Sequence, residues 1–251
     1  MDERTHALAI GLRWTIVAVA GAVFLAAAAP APCASSGGTV AGVVRLAGEA
    51  PKPAPIKVLR DKDVCKNVSD ESLIVGPDHG VEYAVVTADT TAKEPADDAE
   101  HEGGPVYRLD NSGCRFVPHV LAMQVNQFVE LVNSDPILHT AHALFFNGQP
   151  QFNVALWPGR AVRKPMVTPG VVKVVCEVHP WMYAYIVVAE QPYFAVTDIH
   201  GRYEIRGLPP GPLRLKLWHE RLGVQEKTVE VESGKTTVAD FTFSSTAGGS
   251  R

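Results

Sequence analysis

The stretch CEVHPWM, Cys176–Met182, places a thiol, an imidazole and a thioether within seven residues, directly after the apolar run VVKVV. Thiolate and imidazole ligate both zinc and copper. A thioether is a poor fourth ligand for structural zinc, which takes four strong Cys or His donors. Two histidines and one cysteine in a plane, with a distant axial methionine, suit copper moving between Cu(I) and Cu(II). That set needs a second histidine. NSDPILHTAH offers His139 and His142, three residues apart, so on a strand they face opposite sides. His139, nearer the turn, is the expected ligand; the reverse assignment, with His142 inward, stays open. The candidate metal ligands are therefore His139, Cys176, His179 and Met182. Taken singly, each has an ordinary structural role: a packed thiol, a loop imidazole, a core thioether. Their conjunction at the end of an apolar strand is what points to a metal.

Other reactive side chains carry less. Cys65 and Cys114 lie in loop-like settings, KDVCKN and DNSGCRF, and are expected to form a disulfide in an oxidising compartment. Cys176 is then left over, as a ligand would be. His119 in FVPHV has no matching partner and reads as a packed or surface residue. His219 and Glu220 in LWHE could mimic a catalytic pair, but no nucleophile motif accompanies them, so they read as a strand end. His101 falls in an acidic, glycine-ended stretch, Thr90–Gly104, and reads as a solvated loop residue.

The chain that must position these groups has 251 residues and a formal net charge of −4, with no basic stripe, which excludes an electrostatic nucleic-acid binder. Arg4 and Arg13 precede the apolar run WTIVAVAGAVFLAAAA, and PAPCASSGG follows. Residues 1–36 are expected to be an export signal or, uncleaved, an N-terminal anchor. Pro32 before Cys33 argues against a lipid attachment there. The expected location is periplasmic.

After residue 36 the chain reads as many short strands separated by turn residues every eight to twelve positions, the mark of an all-β sandwich or barrel. Residues 37–191 are expected to form the metal-bearing sandwich. From residue 192 the texture changes to strand, tight turn, strand, in YFAVTDIHGRYEIRGLPPGPLRLKLWHE. Residues 192–246 are expected to form a second sandwich of about 55 residues, a size marginal on its own. Residues 247–251 are expected to be a flexible tail.

FVPHVLAMQVNQFVELVNSDPILHTAH and CEVHPWM together resemble the cupredoxins, the blue copper electron carriers, and CEVHPWM most resembles the short Cys-x2-His-x2-Met ligand loop of the amicyanins, with its proline after the histidine. The resemblance covers roughly residues 39–190. It implies a cupredoxin-like Greek-key β-sandwich holding one type 1 copper through His139, Cys176 and His179, with Met182 axial. It implies electron transport rather than enzymatic catalysis, with an exported c-type cytochrome or dehydrogenase as partner. Leu138 and Thr140 depart from the Pro and Asn that flank the first ligand in that family, where the Asn braces the ligand loops. GRYEIRGLPPG is similar to carboxypeptidase-regulatory-like or transthyretin-like sandwiches, and proteins of this composite kind are often labelled methylamine-utilisation proteins. Trp181, Phe145, Phe146 and Pro180 are expected to shield the site and offer a docking patch. Two other classes remain open at this level: a copper-delivery protein without redox duty, and a metal-free structural or adhesion module.

Overall fold

The structure is a computed structural model that describes residues 37–53, 55–90 and 106–244. The expected export segment, His101 and the expected C-terminal tail lie outside the described residues. Seventeen strands run through the described part, in chain order. They are β1 Gly38–Ala47, β2 Val85–Asp89, β3 Tyr107–Asn111, β4 Phe116–Val117, β5 Val120–Gln124 and β6 Gln127–Asn133. Then come β7 His139–Phe145, β8 Pro150–Leu156, β9 Ala161–Met166, β10 Gly170–Val175 and β11 Tyr183–Ala189. The last are β12 Phe194–Val196, β13 Arg202–Leu208, β14 Gly211–His219, β15 Gly223–Val231, β16 Thr236–Val238 and β17 Phe241–Ser244. No α-helix occurs among the described residues, in keeping with the expected all-β class.

The strands form four sheets. The first is ordered β13-β1-β16, with β17 also on β1; the second is β12-β2-β14-β15. The third is β5-β11-β10-β7-β8 and the fourth β4-β3-β6-β9. Three apolar clusters join them in succession. Val40, Val44, Val86, Ile205, Leu215 and Phe241 pack between the first and second sheets. Val85, Val120, Ala122, Tyr185 and Val187, with Trp218 against them, lie between the second and third. Leu109, Leu131, Ala141, Val174, Cys176 and Ile186 pack between the third and fourth. Strand β11 is thus covered on both faces, which is why AYIVVA reads as an unbroken apolar run instead of alternating. Pro165 sits in β9, an edge strand paired only with β6, where its missing N–H costs no ladder bond.

The third and fourth sheets form the sandwich expected to carry the metal. The second sandwich is built differently from the expected division at residue 191. Strand β1 pairs with β13, β16 and β17, and β2 pairs with β12 and β14, so both early strands complete the late sandwich. The close fit enforces this. A Cβ on Gly42 would stand 2.1 Å from the carbonyl oxygen of Ala239, and one on Gly201, at φ +71, would stand 2.1 Å from that of Val44. The physical reason is size: the late strands alone are too few to bury their apolar faces, and β1 and β2 supply the missing core.

Candidate metal centre

Strand β7 begins at His139 and lies antiparallel to β10, with His142 opposite Val175. Strand β10 ends immediately before Cys176, and the loop to β11 is closed by backbone bonds from Cys176 N to Met182 O (3.1 Å) and from Met182 N to His179 O (2.9 Å). Alternation along β7 buries His139, Ala141 and Ala143 and turns His142 outward. His142 instead pairs with Glu177, Nδ1 to Oε1 at 2.8 Å. His139 is therefore the histidine that reaches Cys176.

Cys176 Sγ lies 3.8 Å from His139 Nδ1 and 3.7 Å from His179 Nδ1, and the two Nδ1 atoms are 3.0 Å apart. Both histidines are fully buried and Cys176 is 2% exposed. The three form a group that could hold a metal ion. Met182 is equally buried, in the same apolar cluster as Cys176.

Carboxylates orient both rings. His139 Nε2 donates to Asp135 Oδ2 at 3.0 Å, and His179 Nε2 donates to Asp61 Oδ2 at 2.9 Å. An ionised carboxylate only accepts, so each Nε2 carries the proton and each Nδ1 presents a bare lone pair. Two bare lone pairs then face one another at 3.0 Å, beside a thiol whose S–H is only a weak donor. That arrangement is repulsive until a cation sits among it, and soft sulfur with imidazole nitrogen is a donor set that fits copper. Burial holds the His139 pKa below its usual value, helped by neighbouring His179 and opposed by Asp135 and Asp61. Burial thus favours the neutral ring, the form that ligates.

Thr140 links strand β7 to the loop that follows β10. Its N–H points at Cys176 Sγ (3.4 Å), and its Oγ1 accepts from Glu177 N at 2.7 Å. Asn133, fully buried, ties the loop before His139: Nδ2 donates to Ile137 O and Leu156 O, and Oδ1 accepts from Asp135 N. Asn133, Asp135, Asp61 and Thr140 were not singled out from the sequence as site-supporting residues. The polar cluster NSD before His139 carried a signal for the first two; nothing local marked Asp61.

The expected shielding residues divide. Trp181 packs on His179 at 5.1 Å between ring centres and donates Nε1 to Cys114 O. Phe145 and Phe146 stand at the far end of β7 from His139, with Phe145 opposite Val172, so they do not flank the site. Cys65 and Cys114 form the expected disulfide. His119 is buried among Tyr83, Tyr183 and Tyr185 and bonds Glu220 across the two sandwiches. His219 is a buried strand end whose Nδ1 accepts from Arg221 N and Leu222 N.

No family model matches the chain, and no curated protein matches it. Solved cupredoxin structures are similar to part of it. A purple cupredoxin from Nitrosopumilus maritimus is 23% identical over 33% of this chain and 99% of its own, with a TM-score of 0.30. A copper-containing nitrite reductase from Thermus scotoductus is 28% identical over 38% of this chain, with a TM-score of 0.33; the match spans only 25% of that enzyme. Reduced amicyanin carrying a proline-to-phenylalanine substitution is 19% identical over 41% of this chain and 99% of its own, with a TM-score of 0.32.

Proposed function

We propose that this chain is an exported mononuclear type 1 copper protein of the cupredoxin kind that carries single electrons between protein partners. The observation that supports it is the convergence of Cys176 Sγ with two bare, carboxylate-oriented Nδ1 atoms in a buried pocket. Cys176, His139 and His179 would hold the metal, with Met182 as a weaker fourth donor. Bound copper supplies one-electron exchange between Cu(I) and Cu(II).

The chain's own residues do the rest. Strands β7, β10 and β11 fix the ligands on a packed scaffold, so little rearrangement accompanies each change of charge. Thr140 N–H at the sulfur tunes the electron density of the thiolate. Burial of all three donors keeps water out of the site. Four protein donors leave no open position for a substrate, which favours a carrier over an enzyme. An exported c-type cytochrome or dehydrogenase is the partner class in keeping with this reading.

The test is the visible spectrum of the purified protein after adding Cu(II) and then ascorbate. An intense thiolate-to-copper band that bleaches on reduction and disappears in Cys176→Ser is the expected result. A colourless protein that retains no copper refutes the reading.

A further inference from the structure

The two carboxylates that orient the histidines come from opposite parts of the fold, yet both trace to one covalent joint. Asp135 accepts from Gly113 N at 2.7 Å and Cys114 N at 2.8 Å. The main-chain oxygen of Asp61 accepts from Val64 N and Cys65 N, so Asp61 and Cys65 share a single turn. Cys65 is bonded to Cys114, with Cα atoms 5.3 Å apart. A closed circuit results: His179, Asp61, Cys65, Cys114, Asp135, His139, and back through the facing Nδ1 atoms. Trp181 joins it through Cys114 O.

The circuit also explains a burial. His179 lies in a loop between exposed Glu177 and exposed Pro180, yet its ring is fully buried. Its outer nitrogen meets the Asp61 side chain, which is itself 41% exposed. Asp61 therefore stands between the imidazole edge and water.

We propose that Asp61 and Asp135 are positioning residues that turn both imidazoles toward Cys176, that the Cys65–Cys114 disulfide clamps them together, and that the turn from Asp61 to Cys65 is a lid over the outer edge of His179. This deepens the copper-carrier reading and rests on it for the metal's properties; the lid itself does not depend on metal. A carboxylate hydrogen bond makes an imidazole a stronger donor, and a nearby negative charge favours the more positive, oxidised metal. Asp61 thus tightens Cu(II) binding and lowers the reduction potential. Electrons cross the His179 edge only past this lid, so partner contact at that edge involves residues 61–65 as well as the ligand loop.

The experiment uses the full chain with Asp61→Ala, Asp61→Asn and the double variant Cys65→Ser/Cys114→Ser. Cu(II) affinity by competition and the midpoint potential are measured on the loaded proteins. Alkylation of Cys176 by iodoacetamide, mapped by mass spectrometry, is measured on the metal-free ones. Asp61→Ala is expected to weaken Cu(II) binding about 10- to 100-fold, to raise the potential and to speed Cys176 alkylation. Asp61→Asn, which keeps an acceptor without the charge, recovers most of the affinity and the shielding but not the potential. The double variant follows Asp61→Ala; should it fail to fold, the two Asp61 variants decide alone. Unchanged affinity, potential and alkylation in Asp61→Ala overturn the proposal. Should the parent protein show no thiolate-to-copper band, the copper reading falls, and alkylation alone still decides the lid: faster in Asp61→Ala supports it, equal rates refute it.

Discussion

Replacing Asn133 by Ala removes the knot that holds the loop before His139. The side chain is fully buried and makes three hydrogen bonds: Nδ2 to Ile137 O at 2.8 Å, Nδ2 to Leu156 O at 2.7 Å, and Oδ1 from Asp135 N at 3.0 Å. At about 1 kcal/mol net for each bond, the loss is about 3 kcal/mol, because buried partners find little water in exchange. For a chain of this size that lowers Tm by roughly 6–12 °C. The loss is not only structural. Asp135 leans on Asn133 through its N–H and orients His139 through Oδ2, so metal retention should weaken with stability. Urea or thermal unfolding of the metal-free protein gives the first quantity, and competition for Cu(II) the second. A destabilisation below about 1 kcal/mol would refute the premise that three buried bonds act together.

Acid sensitivity should trace in part to His219, whose pKa is pushed down to about 4 by burial first, then by His119 and Arg221. The unfolded chain takes up this proton near pH ~6.5 and the folded chain refuses it, so stability falls as pH drops from ~6.5 to ~4 and levels off below. The share is about 2 kcal/mol between pH 7 and pH 5, and His219→Gln should remove that share from urea titrations at the two pH values. Thr140→Val strips the acceptor from Glu177 N and should cost about 1 kcal/mol, with Thr140→Ser restoring it; equal unfolding midpoints for all three proteins would contradict the brace. A fragment of residues 192–251 should remain unfolded by circular dichroism and amide exchange, because β1 and β2 supply part of its core; a cooperatively folded fragment would show that they are dispensable.

Much of this was legible beforehand, for identifiable reasons. Period-two alternation and turn residues marked the strands, and β7 shows why His139 rather than His142 faces inward: alternate side chains of a strand cannot share a face. The candidate loop stood out because three potential ligand types crowd a short span. The Cys65–Cys114 pairing was legible from setting and from the leftover thiol. The missing parts are those that depend on distance along the chain. Asp61 reaches His179 across 118 positions, and no local pattern encodes such a meeting. Phe145 and Phe146 were placed near the site by sequence proximity to His139, but a strand carries its ends far apart. The strand at residues 38–47 was assigned to the nearer sandwich, although pairing is set by which sheet lacks an edge partner and a core.

The nesting of one sandwich inside the other sets an order on the making of the molecule. Val43 N bonds Asp240 Oδ1 across 197 positions, so β1 is synthesised long before one of its partners. Strands β3 to β11 can meanwhile close on themselves, since their pairings lie among one another. Until β13 arrives β1 has no partner, and the edge that β16 and β17 cover stays bare until residues near 240, the kind of edge that invites mispairing with a neighbouring chain. The sandwich of β3 to β11 can thus be complete while its companion is still half-made, and loss of β16 and β17 would strand β1 as readily as those strands themselves.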